Sequence, residues 1–363
     1  MSPWRWLALH GGILLIAVTL LDVFSTIVVP RSSNRRFRLT RLLFRGFWRP
    51  WRWMGVRLRT REGRERFLAV AAPGFLFVLL AVWALLVMLG YALVLWSPPF
   101  VSGIEPHHAG ENITFATALY FSGTSLFTIG FGDIVATGLT RAVVVAEGAT
   151  GLGLVAVVIA YLPVLYASFN RREVGIMLLD ASAGSPPSGP ELLRHASEAH
   201  DKQGLATLFS DWERWAADVL ETHLSYPLLA FFRSPHDNTS WVTSLGAVLD
   251  AATLILSTMD KEPLPGARTF YRTGVHAVED LFYYFQIEER RPMIERSEFE
   301  DVLRDFKDLG IPVRPADEAW DRFRELRGAY GGRLDALAIL LAAPPAQWIG
   351  DRSILPVDPR PEH

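Results

Sequence analysis

The residues of this chain with the clearest chemical potential form the hexapeptide TIGFGD at residues 128–133, in a short polar gap between two long apolar runs. Two glycines alternate there with two apolar residues, and glycine tolerates backbone angles that other residues resist. Such a segment can run extended with every carbonyl oxygen turned the same way. Because a narrow column of carbonyl oxygens can replace the water around a dehydrated monovalent cation, the pattern predicts ion conduction.

The overall composition is that of a membrane protein. The chain has 363 residues, 50% of them hydrophobic, and a soluble protein of this length is usually more polar. The net charge of −2 gives no general attraction to nucleic acid. Cysteine is absent, which excludes disulfide bonds, thiolate metal sites and cysteine nucleophiles.

Three apolar runs are long enough to cross a membrane, and a fourth is too short. Residues 7–29 predict an N-terminal transmembrane helix within a first segment of residues 1–30. Asp22 lies inside this helix and should face protein or reach the membrane edge, because a carboxylate is costly in lipid. The other spanning runs are residues 67–96, in which Pro73 predicts a kink, and residues 142–169.

The short run at residues 113–127 predicts a re-entrant helix that enters and leaves the membrane on one side. Asn112 is the expected N-cap of this helix. The helix should end next to the hexapeptide, so that the negative end of its dipole favours a cation.

The distribution of charge predicts the orientation of these segments. Residues 31–66 contain thirteen arginines against Glu62 and Glu65, and the positive-inside rule places such a loop in the cytoplasm. The N-terminus and the hexapeptide then lie outside and the C-terminus inside. We expect a multi-pass protein of the bacterial inner membrane.

The basic segment at residues 31–66 mixes arginine with aromatic residues. Arginine recurs every three or four residues there, which is also the spacing of a voltage-sensor helix. However, Pro50 should break the helix, and the companion helices of a sensor are missing. An amphipathic helix lying on anionic lipid is the favoured interpretation.

The hexapeptide closely resembles the selectivity filter of potassium channels, T-V/I-G-Y/F-G-D, and residues 75–168 resemble the pore module of that family. The resemblance implies an all-α membrane protein with a potassium-channel-like pore domain at residues 67–170, formed by an outer helix, a pore helix, the filter and an inner helix. An extra N-terminal transmembrane helix and a helical cytoplasmic domain complete the predicted fold. The implied function is passive permeation of K⁺, without catalysis or a bound cofactor.

The resemblance assigns a role to each filter residue. The side chains of Ile129 and Phe131 should pack against the pore helix and hold the column open. Gly132 should let the chain turn away, and Asp133 should add negative charge at the outer mouth. The residues expected to coordinate K⁺ are Thr128, through its carbonyl and hydroxyl, and Ile129, Gly130 and Phe131 through their carbonyls.

Two residues beside the filter depart from the family pattern. Phe127 stands where a second threonine is common, and it places a bulky apolar group near the filter. Thr124 stands where some members have a carboxylate that pairs with the filter aspartate, so any brace for Asp133 must come from elsewhere. Neither change removes a coordinating carbonyl.

One chain carries one filter strand, and four strands are needed to surround an ion, so we expect a homotetramer. No internal repeat is visible, unlike in the related transporters that carry four pore repeats in one chain. The alternatives are a non-selective cation channel, an ion-coupled transporter subunit, and a membrane-anchored scaffold or enzyme.

The inner helix contains three candidate gating residues. Glu147 is an ionisable group within the membrane and hence a functional candidate. Gly151, between Gly148 and Gly153, is either a hinge or a site of close helix packing. Pro163 should bend the cytoplasmic end of the helix.

The C-terminal half predicts a linker at residues 171–190, a helical cytoplasmic domain at residues 191–345 and a tail at residues 346–363. Its helices are expected at residues 205–222, 239–259, 269–286, 296–309 and 315–341. No glycine-rich turn follows a strand and no EF-hand loop occurs, so a Rossmann-type nucleotide domain and an EF-hand calcium site are not indicated. The sequence does not identify a regulatory ligand or a gating stimulus.

Overall fold

A computed structural model describes residues 3–27, 39–106, 112–235, 238–259, 264–290 and 294–349. These residues are mostly helical, and the predicted all-α membrane fold is confirmed. The elements in chain order are α1 (Pro3–Ile27), α2 (Leu39–Val56), α3 (Arg61–Ala69), α4 (Ala71–Leu95), α5 (Pro98–Val101), β1 (Ile104–Pro106), α6 (Phe115–Leu126), β2 (Ile134–Ala136), α7 (Thr140–Ala183), α8 (Gly189–Glu198), α9 (Lys202–Ser225), a 3₁₀ helix (Pro227–Phe231), α10 (Trp241–Thr258), α11 (Ala267–Phe285), α12 (Arg296–Asp308), α13 (Ala316–Gly328) and α14 (Gly331–Leu341). The start of the predicted basic segment and most of the predicted tail lie outside the described residues.

The chain forms two compact units, one of residues 1–50 and 73–166 and one of residues 51–72 and 167–363. Within the described part, four helical stretches are long and apolar enough to cross a membrane. One of them, α10, is 94% buried inside the second unit. An all-round apolar helix of this kind is explained by its place in a core, which leaves α1, α3–α4 and α7 as the membrane candidates.

In the first unit, α1 packs closely on α4. A Cβ atom on Gly12 would lie 2.5 Å from the carbonyl oxygen of Gly90, so only glycine allows this approach of the two backbones. Asp22 is buried and accepts hydrogen bonds from the Thr40 hydroxyl (2.7 Å) and the Trp83 indole (2.9 Å). The membrane carboxylate therefore faces protein and joins α1 to α2 and α4.

The structure corrects the expectation that Pro50 breaks the basic helix. Helix α2 continues through Pro50, although the carbonyl of Gly46 loses its amide donor there. Gly46 is exposed, so this carbonyl can be satisfied by solvent. The apolar side of α2 packs on α4, where the rings of Phe44 and Phe47 lie 4.9 and 5.4 Å from that of Phe75.

The predicted outer helix at residues 67–96 is also corrected. Helix α3 begins earlier, at Arg61, and the chain is interrupted at Val70 before α4 begins. Pro73 explains the interruption, because it has no N–H for the carbonyl of Ala69 and its ring crowds that carbonyl.

The predicted linker at residues 171–190 is wrong for most of its length. Helix α7 extends to Ala183, well beyond the expected end of the inner helix at residue 169, and α8 already starts at Gly189. The extension is stabilised by packing in the second unit, where Arg172 is buried and Gly175 lies against the Trp215 ring.

The remainder of the second unit is a helical assembly around α10. The expected single helix at residues 315–341 is instead two helices, α13 and α14, separated at Tyr330. The buried Tyr330 hydroxyl donates to Asp250 on α10 (2.6 Å), and Arg327 donates to the same carboxylate oxygen (2.9 Å). Burial and the Asp250 charge hold the pKa of Tyr330 well above its usual value.

Candidate ion-conduction site

The pore helix is α6, shorter than the predicted residues 113–127, and its N-cap is Thr114 rather than Asn112. The Thr114 hydroxyl accepts the Thr117 amide (3.2 Å), and the Thr117 hydroxyl accepts the Thr114 amide (3.3 Å). This reciprocal pair satisfies two amides that the first helical turn leaves without partners.

The hexapeptide has an alternating backbone. Thr128, Gly130 and Gly132 have φ values of 55°, 54° and 81°, whereas the two residues between them are outside the left-handed region. Alternation of hand turns successive N–H groups to one side of the chain and the carbonyls to the other. The two glycines adopt these angles freely, while Thr128 does so at a cost in strain.

The filter amides point back towards the pore helix. The N–H groups of Ile129 and Gly130 both donate to the Thr124 carbonyl, at 2.8 and 3.2 Å. The carbonyl oxygens of residues 128–132 accept no hydrogen bond from the described part of the chain. The sequence singled out Thr124 because some family members have a carboxylate at this position. In the structure, Thr124 supports the filter through its backbone carbonyl.

Asp133 has a brace that the sequence did not identify. The hydroxyl of Tyr120, in the middle of α6, donates to the Asp133 carboxylate at 2.8 Å. The only sequence signal was the position of a tyrosine thirteen residues earlier, which identifies no partner until the pore helix is folded back beside the filter.

A two-stranded ribbon holds the chain beyond the filter exit. Strand β2 begins directly after Asp133 and pairs antiparallel with β1. The Thr137 amide donates to the Gly103 carbonyl (2.8 Å), and the Thr140 hydroxyl donates to the Phe100 carbonyl (2.8 Å). Residues 100–106 therefore fix both the chain directly after the hexapeptide and the start of α7.

The side chains of the filter are more open than expected. Ile129 and Phe131 are 53% and 68% exposed in the single chain, and their packing against the pore helix stays a prediction. Phe127 is also half exposed and lines an apolar cavity of about 330 Å³, together with Thr128, Leu126 and Trp83.

The inner helix packs directly on the last turn of the pore helix. A Cβ atom on Gly151 would collide with the carbonyl oxygen of Leu126, whereas one on Gly148 would lie 3.7 Å from the Ser125 carbonyl and one on Gly153 would meet nothing within 4 Å. Of the two roles considered for Gly151, close packing is the one with direct geometric support.

The other two gating candidates lie in different surroundings. Glu147 is fully buried and contacts the Ser122 hydroxyl on α6, so it lies behind the pore helix and not at an exposed rim. Pro163 is exposed, and α7 continues through it as one helix. No contact in the described part joins Pro163 to the filter.

Comparison with known proteins found similarities to this part of the chain. Residues 75–166 match an ion channel family. An uncharacterised membrane protein of Bacillus subtilis (strain 168), YdjJ, is 27% identical over 247 residues, which is 68% of each chain. No solved structure matches. The expectation of an ion-channel-type pore domain in a membrane protein is confirmed, and the match contains every residue of the hexapeptide.

We predict that Tyr120 and Asp133 act as one unit. Replacing Tyr120 by Phe or Asp133 by Ala removes the same hydrogen bond, so each change should lower cation flux, and the double variant should be no worse than the stronger single change. Flux into liposomes containing purified protein measures this double-mutant cycle. Additive losses would contradict a direct functional bond between the two side chains.

We also predict that alanine is tolerated at Gly153 but not at Gly151 on the same helix. Gly151→Ala should lower thermal stability and flux strongly, because the new methyl group meets a backbone carbonyl that cannot move aside. Gly153→Ala is the matched control on the same helix and should melt at or slightly above the wild-type temperature, since alanine favours a helix by about 1 kcal/mol over glycine. Equal effects of the two substitutions would rule out the packing role of Gly151.

Proposed function

We propose that this protein is a potassium-selective channel whose filter is formed by residues 128–133 of four identical subunits. The observation that carries the proposal is the backbone of residues 128–133: the amides of residues 129 and 130 donate to the Thr124 carbonyl, and the carbonyl oxygens of residues 128–132 accept no hydrogen bond from the residues that the structure describes. Carbonyl oxygens in such a row can replace the hydration shell of K⁺, which permeates as the transported ion.

The exposed apolar side chains of the filter support a homotetramer. Ile129 and Phe131 are more than half exposed in a single subunit, beside a backbone that one subunit cannot close around an ion. Neighbouring subunits arranged about the pore axis would cover these side chains and supply the missing carbonyls.

The charge pattern supports the same orientation as before, with the N-terminus outside and the C-terminus in the cytoplasm of a bacterial cell. Arg45 and Arg49 of α2 are exposed, which supports a contact of this helix with anionic lipid at the inner surface. The aromatic side of α2 is already packed on α4, so the helix offers its basic side to the membrane surface.

Phe127 favours a non-selective cation channel as the second candidate. Its side chain lies beside Thr128 and the apolar cavity, where a threonine hydroxyl is usual in the potassium channel family. An ion-coupled transporter subunit and a membrane-anchored scaffold are the remaining alternatives, and current steps and filter variants distinguish them.

Selectivity can be tested with purified protein in planar bilayers. Under bi-ionic conditions we expect unitary current steps and a reversal potential close to that for K⁺. Equal permeability to Na⁺ and K⁺ would establish the non-selective channel, and slow flux without steps would establish a transporter. Gly130→Ala should abolish current in folded protein, because its φ of 54° is unfavourable for alanine; unchanged function would indicate an anchor.

We further propose that the helical domain controls gating through the segment at residues 227–233. Arg172, on the continuation of the inner helix, is buried and donates to the carbonyls of Leu229 (2.9 Å) and Phe232 (2.7 Å). Its Nη1 atom lies 3.2 Å from Nε2 of His223. The domain therefore holds the chain directly after the inner helix.

His223 takes part in this arrangement as a neutral ring. Its Nδ1 donates to the Val219 carbonyl (2.7 Å), so Nε2 is free to accept from Arg172. Burial and the neighbouring Arg172 charge hold the pKa of His223 well below its usual value, in agreement with that tautomer.

The same segment also holds the chain before the outer helix. Arg233 follows directly after the residues that bind Arg172, and its guanidinium forms an ion pair with Glu65 on α3. Arg233 also donates to the carbonyls of Leu341 (3.1 Å) and Ala342 (3.0 Å) at the end of α14. Movement of residues 227–233 would act on both ends of the pore domain.

Glu65→Gln and Arg233→Gln should change open probability without changing unitary conductance or reversal potential. We expect a threefold to tenfold change, since couplings between sites are typically about 1 kcal/mol or more. Arg296→Gln is the control, because it removes two exposed ion pairs elsewhere in the same unit, with Glu300 and Asp317, and should have no effect. Altered selectivity with unaltered open probability would contradict the gating role.

A further inference from the structure

One hydroxyl group connects three helices behind the filter. Ser122 Oγ, on α6, lies 2.8 Å from the Met88 carbonyl oxygen on α4 and also contacts the Glu147 carboxyl group on α7. Glu147 is fully buried within the single subunit, and no charged side chain of the described part pairs with it. Ser122 lies one helical turn before the end of the pore helix.

Counting protons determines how these three groups can bond. A serine hydroxyl carries one proton, and a carbonyl oxygen carries none. If Ser122 donates its proton to Met88, the hydrogen bond to Glu147 requires a proton from the carboxyl group. The second carboxyl oxygen, Oε2, is buried and has no hydrogen-bond partner in the described part, a situation that is far more costly for a carboxylate than for a neutral acid.

We propose that Glu147 is a positioning residue for the filter: as a neutral carboxylic acid it donates to Ser122, which donates to Met88, and this chain fixes the pore helix between α4 and α7. This positioning role is additional to ion coordination. Only its flux test rests on the proposed channel function. Glu147, which the sequence offered as a gating candidate, thus belongs to a fixed hydrogen-bond chain behind the filter.

The position of this chain explains how it can act on the filter. From Glu147, the next contacts along α7 are Gly148 beside the Ser125 carbonyl and Gly151 against the Leu126 carbonyl. The Thr124 carbonyl that holds the filter amides lies on α6 between Ser122 and Ser125. A pore helix that shifts at Ser122 would therefore displace the acceptor of two filter amides.

The protonation state can be measured independently of conduction. Infrared spectroscopy of the purified full-length protein at neutral pH should show a protonated carboxylic acid C=O band that shifts in D₂O and is missing in Glu147→Gln. Absence of a difference between wild type and Glu147→Gln in this region would overturn the proposal, even if the protein conducts K⁺.

Flux variants test the positioning role. Glu147→Gln keeps a donor for Ser122 and should retain flux within about twofold of wild type, whereas Glu147→Ala and Ser122→Ala should each lose about tenfold, the effect of one unsatisfied buried group. The double alanine variant should match the stronger single one. Loss of flux in Glu147→Gln equal to that in Glu147→Ala would contradict the role.

The control for this series is Thr150→Ala. The Thr150 hydroxyl lies 2.9 Å from the Tyr91 hydroxyl and thus joins α7 to α4, and in the described part neither hydroxyl is hydrogen-bonded to the pore helix. The Thr150→Ala substitution should lower the melting temperature without the tenfold loss of flux. If Thr150→Ala reduced flux as strongly as Ser122→Ala at equal melting temperatures, a general loss of helix packing would replace the proposed chain.

Discussion

The filter depends on where its backbone amides are bonded. The Thr124 carbonyl takes the N–H groups of Ile129 and Gly130, and this pairing turns the filter carbonyls to the opposite side of the chain. Neighbouring unpaired carbonyl oxygens repel one another. Without such an attachment their peptide groups would rotate or the row would collapse. Everything packed around the last turns of α6 therefore serves, directly or indirectly, to keep the Thr124 carbonyl in place.

Supports reach the filter from several elements. Tyr120 holds the carboxylate of Asp133 at the outer end, and the β1–β2 ribbon fixes the chain directly beyond it. At the inner end, α7 approaches so closely at Gly151 that a side chain would strike the Leu126 carbonyl. These contacts are short, specific and mostly made to backbone atoms, which suits the proposed coordination of the ion by backbone carbonyls.

The second unit is organised by buried polar groups as well as by apolar packing. Asp250 on the apolar helix α10 accepts hydrogen bonds from Arg327 and Tyr330. This interaction lies where α13 and α14 separate, although the apolar pattern alone predicts one continuous helix. Arg172 is likewise buried among carbonyl groups and a neutral His223. Such sites permit few alternative arrangements, because a displaced arginine would leave a buried charge without partners.

The sequence by itself determined the long apolar helices, the glycine-containing hexapeptide and most helices of the second unit, because length, apolar periodicity and glycine spacing are local properties. Only the tertiary structure decided that Tyr120 braces Asp133, that α7 extends to Ala183 and that α2 continues through Pro50. It also left Ile129 and its neighbours exposed in a single subunit. The physical reason is that these outcomes depend on contacts between residues of different helices and strands. The spacing of residues along the chain does not specify those contacts.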